Sequence, residues 1–206
     1  SGHVRVYEWN DGTSSWDKLG SDIDGEASED YSGSSVSLSN DGTRVAIGAP
    51  TNDGGGDSSG HVRVYEWNDG TSSWDKLGSD IDGEASEDYS GRSVSLSNDG
   101  TRVAIGAPFN DGGGDSSGHV RIYDYNGTTW VQLGSDINGE AVTDNSGWSV
   151  SLSNDGTRVA IGAPEINGVV SSNSGHVRVY EWNDGTSSWD KLGSDIDGEA
   201  SEDYSG

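Results

Sequence analysis

The phrase Ser-Gly-His-Val-Arg occurs four times, with its histidine at positions 3, 61, 119 and 176, at intervals of 58, 58 and 57 residues. A period of this length points to an array in which each supersecondary unit buries its apolar face only against its neighbours. The one-residue difference in spacing falls in loops: the stretch from Tyr125 to Trp130 is shorter than its copy from Trp67 to Trp74, and Pro164 to His176 is longer than Pro108 to His119. Residues 1–33, 59–91 and 174–206 are identical letter for letter.

The unit itself reads as β structure. Ser35–Ser39 and Arg44–Ala49 alternate apolar with small or polar residues around Asn40-Asp41-Gly42-Thr43. The Asp-Gly step supplies the positive φ a tight hairpin needs. Val36, Leu38, Val45 and Ile47 then share a face, because strand side chains alternate sides. His3–Trp9 alternates as a further strand, Asn10–Ser15 is turn chemistry, Trp16–Leu19 resumes as a strand, and Ser21–Gly33 reads as an acidic loop.

Four short antiparallel strands per unit of this length predict an all-β array of β-propeller blades. The blades are 34–91, 92–147 and 148–206, preceded by a two-strand half-blade, 1–33. Three and a half blades fall short of the roughly four to eight of a closed ring. More repeats or a second chain are therefore expected at the ends, with the terminal half-blades as self-association pieces. The start in mid-repeat without a methionine points to a processed form or a piece of something longer.

Charge narrows the partners. With 36 acidic against 11 basic residues, the net charge of -25 repels nucleic acid phosphates and anionic lipid surfaces. No apolar run has membrane-spanning length and no signal peptide opens the chain, so neither nucleic acid binding nor membrane insertion is expected. Without cysteine there is no disulfide, thiolate metal site or cysteine nucleophile.

Gly48-Ala49-Pro50, Gly106-Ala107-Pro108 and Gly162-Ala163-Pro164 each follow Arg-Val-Ala-Ile, and the first two precede a Gly-Asp-rich loop. On these residues the chain resembles the FG-GAP repeat family. That family includes the propeller heads of integrin alpha subunits and many secreted or surface proteins of microbes, so the resemblance implies a propeller fold and an extracellular or cell-surface location. The family's Phe-Gly reads Ser32-Gly33, Ser90-Gly91 and Ser146-Gly147, with Tyr31, Tyr89 and Asn145 just before. The calcium loop of integrin-type repeats is reduced to Ser39-Asn40-Asp41-Gly42-Thr43, whose one carboxylate is too few for Ca²⁺.

Other acidic groups are weak candidates for Ca²⁺: Asp22, Asp24 and Glu26 with their copies Asp80, Asp82 and Glu84, and Asp53 and Asp57 with their copies Asp111 and Asp115. Their alternative is solvated turns, and no cofactor is required. The histidines open strands and read as structural. The tryptophan pairs, Trp67 with Trp74 and their copies, suit either sugar stacking or packing between blades. Asn126-Gly127-Thr128 is a glycosylation sequon in a turn.

No nucleophile, base and orienting group recur together, so the expectation is no enzyme. Nearly identical repeats differ at Ser34, Arg92 and Trp148 before the first strand, and at Thr51, Phe109 and Glu165-Ile166 after the second. A hairpin brings these sites together on one rim, the candidate surface for a protein or glycan ligand. Two readings stand: an adhesive or ligand-binding repeat protein, and a structural subunit joined through its ends into a fibre or closed oligomer. An accessory binding module of a secreted enzyme is a third.

Overall fold

Ser35–Leu38 (β5) and Arg44–Ala49 (β6) pair antiparallel, Val36 opposite Ile47 and Leu38 opposite Val45, so the apolar positions of both strands share one face. The turn between them is held by one carboxylate: Asp41 accepts from the backbone N–H and hydroxyl of Thr43 at 3.0 and 2.8 Å and from the hydroxyl of Ser39 at 2.7 Å. Gly42 takes the left-handed conformation at φ 72°. The Ser39 hydroxyl and then the Thr43 donors bring the Asp41 carboxyl down to about 2.

The computed structural model describes residues 1–164 and 174–206. Ahead of the hairpin lie His3–Val4 (β1), Tyr7–Asn10 (β2), Ser15–Lys18 (β3) and Ile23–Asp24 (β4). The first sheet continues from β5 and β6 through His61–Asn68 (β7) and Ser73–Lys76 (β8), with Ile81–Asp82 (β9) also on β7. The second comprises Ser93–Leu96 (β10), Arg102–Ala107 (β11), His119–Tyr125 (β12), Trp130–Gln132 (β13) and Ile137–Asn138 (β14). The third comprises Ser149–Leu152 (β15), Arg158–Ala163 (β16), His176–Asn183 (β17), Ser188–Lys191 (β18) and Ile196–Asp197 (β19). All these pairings are antiparallel and each sheet repeats the order of the first. No described residue is helical.

The array is therefore all-β, with open propeller-type blades. Each sheet holds four principal strands and a two-residue fifth. That fifth strand lies inside the stretch read from sequence as an acidic loop: Asp24, Asp82, Asn138 and Asp197 pair with His3, His61, His119 and His176.

Every blade has two apolar faces. Ala46, Val62, Val64, Leu77 and Ile81 of the first blade pack on Val94, Leu96, Val103 and Ile105 of the second. The second blade repeats the contact with the third through Ala104, Val120, Ile122 and Ile137 against Leu152, Val159 and Ile161. Fully burying an aliphatic side chain of this kind is worth about 1.5–3 kcal/mol.

Polar contacts repeat beside them. The Leu96 and Leu152 N–H groups donate to Ser37 and Ser95 Oγ at 3.0 and 2.9 Å, and the Asn40 and Asn98 N–H groups to the Asn98 and Asn154 carbonyls at 2.8 and 2.9 Å. These bonds set β5, β10 and β15 side by side. An indole crosses each boundary: Nε1 of Trp74, Trp130 and Trp189 donates to the carbonyls of Leu19, Leu77 and Leu133 at 2.9, 2.8 and 3.0 Å.

The recurring glycines have a steric reason. The N–H groups of Gly33, Gly91 and Gly147 donate to the carbonyls of Gly48, Gly106 and Gly162 at 3.0, 3.1 and 3.0 Å. A Cβ on Gly48 or Gly106 would fall on the carbonyl oxygen of Gly91 or Gly147. Two stretches of backbone touch there with no room for a side chain, so the last loop of a blade is latched against its own second strand while its glycine N–H bonds to the second strand of the next blade.

Candidate functional site

The rim candidates divide. Phe109 sits between two rings, 5.2 Å from Tyr89 and 6.1 Å from Trp148, both edge-on. The Arg92 guanidinium lies 4.6 Å from the centroid of the Trp148 ring. The end of β11 delivers Phe109, while the latched loops before β10 and β15 deliver Arg92 and Trp148. Beside Phe109 and Tyr89 opens a depression of about 350 Å³ edged by Glu87, Asp111 and Asp115, all three exposed.

The first blade has no such cluster. Ser34 is exposed and donates to the Tyr31 carbonyl at 2.7 Å, and the Thr51 hydroxyl donates to the Glu29 carbonyl. Glu165 and Ile166 lie outside the described residues. Tyr89, the third ring, was read from the sequence only as a stand-in for the family's phenylalanine; its place beside Phe109 is the informative part.

The acidic candidates do not gather as their spacing suggests. Asp22 pairs with Arg5 at 2.9 Å and with Lys18, while Glu26 reaches into the next blade to Arg63 at 3.1 Å. Asp80 pairs with Lys76 at 2.6 Å, and Glu84 crosses to Arg121. Asp24 and Asp82 point from exposed strand positions. Asp53 and Asp111 each accept a backbone N–H within their own loop, from Ser58 and Ser116 at 2.9 and 2.8 Å, with Asp57 and Asp115 exposed. Asn126 stands exposed in the turn between β12 and β13, its side-chain oxygen accepting the Thr128 and Thr129 N–H groups at 3.0 Å each.

The groups that do converge come from two blades. Glu26, His61 and Asp80, and likewise Glu84, His119 and Asp136, place their ligand atoms within 4.8 Å of one another. Such groups could hold a metal. In both, an arginine already supplies positive charge: Arg63 to Glu26, and Arg121 to Glu84 and, at 3.0 Å, to Asp136. The sequence grouped acids by proximity along the chain and missed these trios, although the repeated Arg two residues after each His was there to be read.

Burial pushes the His61, His119 and His176 imidazoles below the ordinary histidine value of 6.5. The folded chain then binds fewer protons than the unfolded one as pH falls below that value. Stability from these sites is intact above about pH 6.5 and declines toward lower pH. Asp41 and Asp155, held to about 2, lose their contribution only in stronger acid. A thermal midpoint that drops between about pH 7 and pH 5 is expected. The drop should be shallower in His119→Gln, and a midpoint flat across that window would refute the assignment.

A family comparison places FG-GAP repeat sequence at residues 21–65 and 79–123, each match running from an acidic segment through a hairpin into the following strand. The two segments are FG-GAP repeats. The matched segments contain Gly33 with Gly48-Ala49-Pro50, and Gly91 with Gly106-Ala107-Pro108. A comparison with curated proteins finds no match.

Among solved structures, this chain is similar to a protein of Bacteroides uniformis named as a candidate 6-phosphogluconolactonase, with TM-score 0.61, 12% identity, and 95% of this chain covering 48% of that one. It is also similar to the periplasmic gluconolactonase of Pseudomonas aeruginosa, with TM-score 0.57, 15% identity, and 91% of this chain covering 48% of that one. The chain thus spans about half the length of each. At these identities the likeness is one of fold. It corrects the expectation that the chain is no enzyme: proteins named as lactonases share this architecture, so the lack of a recurrent catalytic set along the sequence does not separate it from enzymes.

Proposed function

We propose that this repeat protein binds a ligand on the rim at Tyr89, Phe109, Trp148 and Arg92, acting as an adhesive scaffold in the extracellular or cell-surface space. The single supporting observation is the edge-to-face row of three rings, two of which, Tyr89 and Phe109, border a depression edged by three exposed carboxylates. Aromatic faces take up the apolar C–H face of a sugar ring, and carboxylates accept its hydroxyls. A glycan is the ligand class we favour: Arg92 already covers the Trp148 face, which leaves Tyr89 and Phe109, the two rings beside the depression, as its platform.

Titrating a panel of soluble oligosaccharides into the chain by calorimetry tests the reading. A sugar that binds should lose at least tenfold in affinity on Phe109→Ala, about 1.4 kcal/mol, with no more than a small change in melting temperature. Absence of heat across the panel, or binding that survives Phe109→Ala and Trp148→Ala together, would refute it.

A further inference from the structure

The two ends of the array are the two halves of a contact the array already makes twice. At the front, Val36 and Leu38 are 54% and 51% exposed, whereas the equivalent Val94 and Leu96 are 9% and 7% exposed beneath the preceding blade. Residues 1–33 supply only the outer strands of a blade, and among the described residues none lies as an inner strand in front of β5. At the tail, Ile196 is 59% exposed where Ile23, Ile81 and Ile137 are 6–7%.

We propose that a second copy of this chain docks by its third blade on the first blade of the other, head to tail. The partner's residues 174–206 then take the place of residues 1–33. Because the two segments are identical, this exchange keeps the cover over Val45 and Ile47 and the bond to the Trp74 indole, so its contacts cancel and the surplus must offset the cost of joining two chains.

The surplus comes from the inner strands, which residues 1–33 lack. The third blade brings Ala160 over Leu38, as Ala46 joins Leu96 in the interior core. It also brings Ser151 to the Leu38 N–H, as Ser37 and Ser95 meet Leu96 and Leu152. Arg158 has a side chain 59% exposed, whereas its copies Arg44 and Arg102 are 17% and 18% exposed. Those copies donate to the Gly100 and Gly156 carbonyls at 3.3 and 2.8 Å, and the Gly42 carbonyl of the copy that receives the third blade is the matching acceptor. A head-to-tail contact of this kind either closes a ring or grows a filament. The inference stands apart from the rim reading, since neither set of residues uses the other.

The experiment is light scattering on the full chain across dilution, with Leu38→Glu and Ile196→Glu. Wild type should weigh more than one chain and dissociate on dilution. Each variant alone should be a single chain, because one charge blocks its only front or its only tail. An equimolar mixture should recover a two-chain species, since one variant keeps an intact tail and the other an intact front. Both positions are exposed in the lone chain, so circular dichroism should be unchanged, and Arg158→Glu serves as an independent tail block. Wild type at the mass of one chain at every concentration, variants that assemble like wild type, or a mixture that stays monomeric would each overturn the proposal.

Discussion

Trp130→Ala lowers the free energy of unfolding by about 3–5 kcal/mol, the range for emptying a large aromatic site. Trp130 is 8% exposed, joins the core between the first and second blades, and donates through Nε1 to the Leu77 carbonyl at 2.8 Å. Its ring lies on Gly78, where a Cβ would meet Cδ1 at 3.1 Å. Truncation therefore removes apolar area, a hydrogen bond and the fit between backbone and ring at once. Trp130→Phe separates these effects, since most of the area stays while the donor goes and the Leu77 carbonyl loses its partner, for about 1 kcal/mol. Urea titrations of the three proteins check the order. Equal costs for the two variants would mean that the hydrogen bond, not the packing, holds the blades together.

Gly106→Val is the second large effect, at about 3 kcal/mol or more from overpacking. The new Cβ would land on the Gly147 carbonyl oxygen and beside Ser93 Oγ; the hydroxyl can rotate away but the Gly147 backbone cannot. Relief requires unlatching the loop before β15, which also carries Trp148. Gly42→Val makes an instructive contrast: it meets nothing within 4 Å and carries only the cost of its positive φ of 72°. If denaturation showed Gly106→Val to be no worse than Gly42→Val, the steric account of the latch would be wrong.

The repeat, the hairpins and their inward positions were legible because alternation and the Asn-Asp-Gly turns are local signals. The two-residue strand Ile81–Asp82 was not, since so short a run cannot display a period and is fixed only by pairing with His61 and Val62. The metal-like trios escaped for a related reason: Glu84 belongs with His119 and Asp136 only after two blades have docked. The same holds for the buried pair in which Asn110 donates to Asp88 at 2.9 Å. Identical letters also met different fates, Leu38 exposed and Leu96 buried, because position in the array rather than composition decides what covers them.

The latch carries a practical consequence for handling the molecule. Gly206 sits against Gly162 as Gly91 sits against Gly48, and the Ser1 carbonyl accepts the Ser32 N–H at 2.9 Å near the start of β1. Both extremities of the polypeptide emerge on the side that carries Phe109 and Trp148. An affinity tag, fluorophore or surface tether appended at either extremity would crowd that side. The opposite side, formed by turns such as the one from Asn68 to Ser73, which lies beside Thr43 through the Trp67 N–H, is where an inserted label leaves it clear.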